Sequence, residues 1–272
     1  MSTTNPLSMG RSLDERLLQA LTDRVEAAQT TARAMPKLTD EVPGMTLGDG
    51  YAVQLALRDR WLATGRRQVG WKAGLTSRAK MDQMGVRVPT VGFLLADMAR
   101  PESSAVRTDD LVHPRVECEI GFVLKAPLAG PDVTREQVLE ATDFIVPAIE
   151  VIDSRYAGFK FDLPSVVADN SSSARYVTGG QPCGPHDLDL SSLGVVLERN
   201  GEPQAIAATA AVMGHPADAV ALVAQVLHAL GEALPAGSFV MSGGITEAFA
   251  VKAGDFVCAR FQSLGSVGLR FV

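Results

Sequence analysis

The chain has 272 residues, 46% of them hydrophobic and 21% charged, and carries a net charge of −6. That length holds one large domain, or a core domain with a small appendage, and the composition lies well away from disorder. With Arg66-Arg67 its only basic doublet, the chain lacks the positive patch that a phosphate backbone or an anionic membrane needs, so neither is expected as a partner.

The start, "MSTTNPLSMGRSLDERLLQAL", has no apolar core of signal-peptide type, which points away from export and towards the cytoplasm. The first 65 residues read as helical. Ser12 is placed to cap a helix with Glu15 three residues on, and Leu13, Leu17, Leu18, Leu21 and Val25 recur at helical spacing. After a polar, proline-containing link (36–43), Thr46 caps a second helix that carries Tyr51, Leu55 and Trp61 and stops at Gly65. From residue 66 the pattern turns to short β runs: "RQVGWKAGL", "VECEIGFVL", "FIVPAIEVID", "ARYVTGG", "LGVVLERNG", "SFVMSGG" and "DFVCARFQSLGSVGLRFV". Asn200-Gly201 marks a hairpin, and one strong helix, "HPADAVALVAQVLHALGEAL", interrupts the strands, with Pro216 in its first turn and Gly231 at its end. No apolar run is expected to reach the roughly 18 residues of a membrane span. The result is an α+β chain without βαβ alternation, divided into a helical segment (1–65) and a β-rich domain (66–272).

The chemistry concentrates in "HPRVECEIGFVL". Glu117 and Glu119 stand two apart in a strand, so both carboxylates share a face with their Cα atoms roughly 6.5–7 Å apart. An acidic solvent-facing strand is the plain explanation. Two features weigh against it: Gly121 follows on that face and leaves room for a ligand, and Glu150 sits inside the apolar run "IVPAIEVID". A carboxylate there needs a cation or a proton. Three carboxylates without histidine suit a hard dication such as Mg²⁺ or Mn²⁺. The four histidines show no zinc-type spacing, and Cys118, Cys183 and Cys258, an odd and scattered set, read as reduced.

The segments "GWKAGLTSRAKMDQMGV", "HPRVECEIGFVL", "PAIEVIDSR", "VADNSSS" and "GSVGLRF" resemble, in order and spacing, the fumarylacetoacetate hydrolase superfamily. The likeness covers residues 10 to 272. It is greatest to the hydratase/decarboxylase branch, which handles 2-hydroxypentadienoate and 2-oxohex-3-enedioate in aromatic meta-cleavage pathways. The resemblance implies a mixed β-roll or barrel core of that superfamily's type with an N-terminal helical segment, and a Mg²⁺ or Mn²⁺ ion held by Glu117, Glu119 and Glu150. "VIDSRYAGFKFDLPSVVADNSSSARYVTGG" and "FVMSGGITEAFAVKAGD" are similar to the decarboxylases, and Gly243-Gly244-Ile245-Thr246 stands where the hydratases have Gly-Ala-Leu-Gly. Decarboxylation of 2-oxohex-3-enedioate is therefore the expected activity; hydration of 2-hydroxypenta-2,4-dienoate, or a non-catalytic role beside such a hydratase, are the alternatives. Association with a hydratase and a homo-oligomer are likewise implied. The superfamily's hydrolases use a His–Glu dyad, and His113 has no matching motif.

Lys72 in "GWKAGL" reads either as a lysine that snorkels to water or, by the resemblance, as a group that binds the substrate or donates a proton. Asp97 in "FLLADM" is a turn acid, or it orients Lys72 or shuttles a proton. Asn170, Ser172 and Ser173 of "ADNSSSAR" and Thr246 of "SGGIT" are expected to contact substrate, although Asn and Ser also simply make turns. Arg155 and Arg175 are alternative anchors for the second carboxylate. Met81 and Met84, and the run "LGSVGLRF", read as packing.

Overall fold

The computed structural model describes residues 10–77 and 89–272; Met81 and Met84 fall outside them. The helical start is α1 (Glu15–Thr31), α2 (Leu38–Glu41) and α3 (Leu47–Ala63). Thr46 and Asp49 form the capping box that opens α3. At α1 the expectation fails: Asp14, not Ser12, is the cap. Ser12 instead donates from its N–H and Oγ to Asp49 at 2.7 Å each, and Leu13 N–H adds a third bond at 3.0 Å. A buried carboxylate offered three donors outbids a local turn, so Asp49 ties the chain before α1 to the start of α3.

Two sheets follow. The larger runs β2 (Thr90–Leu95), β1 (Gln68–Gly74), β10 (Phe239–Met241), β5 (Pro114–Leu124), β6 (Thr142–Asp153), β7 (Ser173–Thr178) and β3 (Ala99–Arg100), with β11 (Phe249–Ala250) on the far part of β5. The smaller runs β4 (Ala105–Val106), β13 (Gly265–Phe271), β12 (Phe256–Phe261), β8 (Gly194–Arg199) and β9 (Glu202–Ala208). Parallel pairs at β1–β10, β3–β7 and β4–β13 sit among antiparallel ones. The larger sheet is curled, β12 and β13 pack on β6, and the fold is α+β with a mixed β-roll core. The β8–β9 hairpin turns at Asn200 (φ +56°) and Gly201 (φ +84°), the two left-handed residues an Asn-Gly turn requires.

Two helices were not legible as such: α4 (Arg135–Ala141), opened by a Thr134/Gln137 capping box, and α5 (Leu163–Ala168), capped by Asp162 with Pro164 in its first turn. The late helix, α6 (Pro216–Ala229), starts where His215 accepts the Ala217 N–H. Contrary to expectation, Thr209–Ala229 is long and apolar enough, by length and composition, to cross a membrane. Here it is a core element: Ala217, Val220, Val223, Ala224 and Leu227 are fully buried, and α6 packs on β1, β2 and α4.

Candidate active site and metal centre

Glu117 lies directly opposite Glu150 in the β5–β6 ladder, and Glu119 is two residues further along β5. The register therefore sends three carboxylates to one face of the sheet. All three are buried, Glu119 and Glu150 completely, and one oxygen from each lies within 4.8 Å of the others. Lys72 reaches in from β1; its Nζ is 2.9 Å from Glu150 Oε2 and donates to the Ser171 carbonyl at 3.2 Å.

The segment after β10 closes the site from above. Ile245 N–H donates to the Cys118 carbonyl at 2.8 Å and Cys118 N–H to Thr246 Oγ1 at 3.2 Å, laying residues 242–246 along β5. Gly243 N–H, at a φ of +94°, donates to Glu119 Oε2 at 2.7 Å. A β-carbon on Gly244 would stand 2.1 Å from Glu117 Oε2. Glycine here permits close approach of backbone to carboxylate. Gly121 does something else than expected: its missing side chain is replaced by the Phe239 ring, 2.3 Å from where a β-carbon would stand, so it admits a core side chain and no ligand.

Burial pushes the Glu119 carboxyl well above its ordinary range, and the neighbouring Glu150 and Glu117 push it further. Burial also raises Glu150, with Lys72 pulling the other way. At Lys72 burial favours the neutral amine, but the three carboxylates outweigh it and the ammonium is held above its ordinary value. Among the described residues, Glu119 Oε1 and Glu150 Oε1 find no hydrogen-bond donor. Glu119 and Glu150, both fully buried, thus share one ammonium, and each keeps an oxygen that no donor reaches among the described residues. Oxygen-only donors with orphaned lone pairs fit a hard divalent cation.

The cluster floors a cavity of about 550 Å³. One wall carries Thr90, Ser171 and Ser172, another Gly244 to Ala248, and the mouth carries Arg115, Phe159 and Phe161. Asn170, Ser171 and Ser172 are three successive left-handed residues (φ +51°, +50°, +60°). Such backbone is costly for non-glycine residues and persists only where its surroundings hold it. Asn170 holds it by bonding both ways to the Phe93 backbone, at 2.8 and 3.0 Å, and Ser171 Oγ donates to the Val91 carbonyl at 2.9 Å. The turn thereby aims the Ser171 carbonyl at Lys72.

Of the residues singled out from sequence, Lys72, Glu117, Ser172 and Thr246 line this cavity, with Glu119 and Glu150 beneath it. Asn170 is spent on backbone, and Ser173 opens β7 with its carbonyl accepting from Arg155 Nη2 at 2.9 Å. Asp97 does not meet Lys72: it is half-exposed and ion-paired with Arg66 at 2.7 Å. It lines, with Arg155 and Arg175, a separate cavity of about 520 Å³. Arg155 is buried between Asp153 and Asp169, at 3.7 and 3.4 Å, and anchors no ligand in the carboxylate cavity. His113 donates its N–H to Asp153, and its Nδ1 lies 2.9 Å from the Ser154 carbonyl, away from any dyad role. Burial and nearby carboxylates push the Cys118 thiol up, as expected of an inert cysteine. Arg115 and Phe159 were passed over, although period-two alternation from Glu119 through Glu117 leads to Arg115.

The model of the fumarylacetoacetate (FAA) hydrolase C-terminal family matches residues 70–272. The chain belongs to the fumarylacetoacetate hydrolase family. It is 52% identical over 264 residues to a 4-oxalocrotonate decarboxylase of Pseudomonas sp. (strain CF600), covering 97% of this chain and all of the relative. It is 40% identical over 254 residues to a 2-keto-4-pentenoate hydratase of Paraburkholderia xenovorans (strain LB400), covering 91% and 94%. Among solved structures, the 4-oxalocrotonate decarboxylase from Pseudomonas putida G7, complexed with magnesium and adipate, superimposes with a TM-score of 0.95 at 47% identity, over 97% of this chain and all of that one.

Proposed function

We infer that this chain is a Mg²⁺- or Mn²⁺-dependent decarboxylase that converts 2-oxohex-3-enedioate to 2-hydroxypenta-2,4-dienoate and CO₂ in aromatic meta-cleavage catabolism. The observation that carries the reading is the buried cluster of three carboxylates beneath a cavity of small-ligand size, in a chain whose full-length relatives include 4-oxalocrotonate decarboxylases. The relative solved with magnesium holds adipate, a saturated dicarboxylate of the same length as the substrate.

Glu117, Glu119 and Glu150 are the residues we assign to the metal. When bound, the dication supplies Lewis-acid polarisation of the substrate's 2-oxo group and draws off the charge that develops as CO₂ departs. The C5–C6 bond breaks, its electron pair becomes the C4=C5 bond, the C3=C4 pair moves to C2=C3, and the carbonyl pair moves onto the 2-oxygen, which takes up a proton. Lys72 is assigned the polar work at that oxygen. Its ammonium is kept charged by the three carboxylates, pairs with Glu150, donates one hydrogen bond to the Ser171 carbonyl, and has donors left for substrate in the cavity. Ser172 Oγ, buried and without a partner among the described residues, is assigned to substrate positioning, and so is Thr246, whose Oγ1 is fixed by Cys118 N–H. Phe159, Phe161 and Ile152 add apolar surface around the polar groups of the cavity, which strengthens electrostatics inside.

The same reading divides the chain into a helical segment (1–65) and a catalytic domain (66–272) and places it in the cytoplasm, in keeping with three free cysteines. It also includes a homo-oligomer able to associate with a hydratase. Co-expression followed by light scattering tests that assembly. For the activity, the purified protein is incubated with Mg²⁺ and each substrate while CO₂ release and dienoate absorbance are followed. CO₂ from 2-oxohex-3-enedioate is the expected result. Water addition to the dienoate without CO₂ release would assign the chain to the hydratases instead.

A further inference from the structure

We propose that Arg115 is the specificity-determining residue that binds the carboxylate of the substrate distal to the 2-oxo acid, and so selects dicarboxylates over monocarboxylates. The inference rests on the decarboxylase reading for the identity of the substrate, and on the following geometry for the site. Arg115 precedes Glu117 by two residues on β5 and faces the same side, opposite Ile152 of β6. Its Cα is therefore roughly 6.5–7 Å from that of Glu117, and both side chains line the same cavity. The cavity thus has a carboxylate cluster at its floor and a guanidinium at its mouth.

The guanidinium is also held in place. Its carbon lies 4.1 Å from the centroid of the Phe159 ring, a cation–π shelf. Phe159 reaches that position through an unusual backbone: it is left-handed at φ +59°, directly after Gly158 at φ +66°. A bulky aromatic in that region is a true outlier, and such strain collects at ligand clamps. His113 and Phe161 pack against the ring, with centroids 6.3 and 5.7 Å away. Among the described residues no carboxylate lies within ion-pair distance of Arg115. The other cation of the cavity, Lys72, is committed to Glu150 and Ser171 at the floor. Glu247, on the facing wall, is exposed and forms no ion pair with Arg115. A planar, always-charged fork with open donors at the mouth is built for a carboxylate.

Binding of this kind, kept in ground and transition state alike while the carboxylate still carries charge, appears in KM more than in kcat. The test compares 2-oxoadipate with 2-oxohexanoate, which share the 2-oxo acid head and differ in the distal carboxylate. Binding to the Mn²⁺-loaded protein is measured by calorimetry for wild type, Arg115→Gln and Arg115→Lys. Wild type is expected to prefer 2-oxoadipate about 10- to 100-fold. Arg115→Gln abolishes that preference without changing 2-oxohexanoate binding, and Arg115→Lys keeps part of it. With 2-oxohex-3-enedioate the Gln variant raises KM by a similar factor and changes kcat by less than about threefold. Equal weakening of both ligands, or an unchanged preference in both variants, would overturn the assignment. A wild-type protein that shows the preference yet releases no CO₂ refutes the decarboxylase reading and leaves the role of Arg115 standing.

Discussion

Replacing Glu119 by Gln is expected to stabilise the metal-free protein while removing its response to metal. Glu119 is fully buried, accepts one hydrogen bond from Gly243 N–H, and has a second oxygen that no donor reaches among the described residues. Its charge is opposed by burial and by Glu150 and Glu117. A Gln side chain keeps the acceptor for Gly243 and offers an N–H₂ towards the other carboxylates. Relieving one buried, unsatisfied group is worth about 1–3 kcal/mol, a rise in Tm of roughly 2–12 °C for a domain near this size. The pH dependence has a definite sign. Because the folded protein holds this carboxyl above its ordinary value of 4.5, its contribution to metal-free stability is fully present below that pH and is lost as pH rises above it; the variant lacks this part of the slope. Mn²⁺ reverses the order, since an ion at a hundredfold excess over its Kd stabilises wild type by about 2.7 kcal/mol and the variant far less. Thermal melts of both proteins in EDTA and in Mn²⁺, at several pH values, should show curves that cross. A variant less stable than wild type in EDTA, or one that gains as much from Mn²⁺, refutes the reasoning.

Glu150→Gln should abolish Mn²⁺ binding by calorimetry and turnover while preserving the far-UV circular dichroism spectrum; an unchanged rate removes Glu150 from the site. Lys72→Met removes the cation that faces three buried carboxylates, so the metal-free protein should lose about 3–5 kcal/mol and turnover should vanish, while Mn²⁺ still binds; loss of Mn²⁺ affinity would contradict the role assigned to Lys72. Gly244→Ala puts a β-carbon 2.1 Å from Glu117 Oε2 and should weaken Mn²⁺ about 10- to 100-fold, with an undisturbed isotherm as the contrary result. Burial works against the Asp49 charge, but bonds from Thr46, Ser12 and Leu13 outweigh it and hold its carboxyl below the ordinary 3.8. Its stabilisation is therefore complete above that pH and lost as pH falls below it. Asp49→Asn should lower Tm at neutral pH and flatten the acid limb of the Tm–pH curve, and a variant curve that overlays wild type would remove Asp49 from the account.

Local rules made much of the molecule readable. Thr46, Pro216, Gly231 and Asn200-Gly201 mark element ends because caps and left-handed turns depend on a few neighbouring residues. Glu117 and Glu119 share a face by strand alternation alone, and Glu150 announces itself as a charge in an apolar run. Where two local readings competed, distant partners chose. Ser12 had the sequence of a capping residue and was taken by Asp49, 37 positions away. Gly121 had the look of a ligand gap and was filled by Phe239. Asp97 followed a buried strand, yet the turn after it carries the side chain out to Arg66.

Composition and spacing by themselves determined that this is an α+β chain with helices first and strands after, and that Glu117, Glu119 and Glu150 lie on two β segments. Only the tertiary structure decided that Glu150 stands opposite Glu117, that Lys72 arrives from another strand to face them, and that the Gly243-Gly244 turn seals them from above. The reason is that strand alternation fixes which face a side chain takes, whereas register and sheet order fix which side chains meet across it. Those are set by the packing of the whole core, which no short stretch of sequence contains.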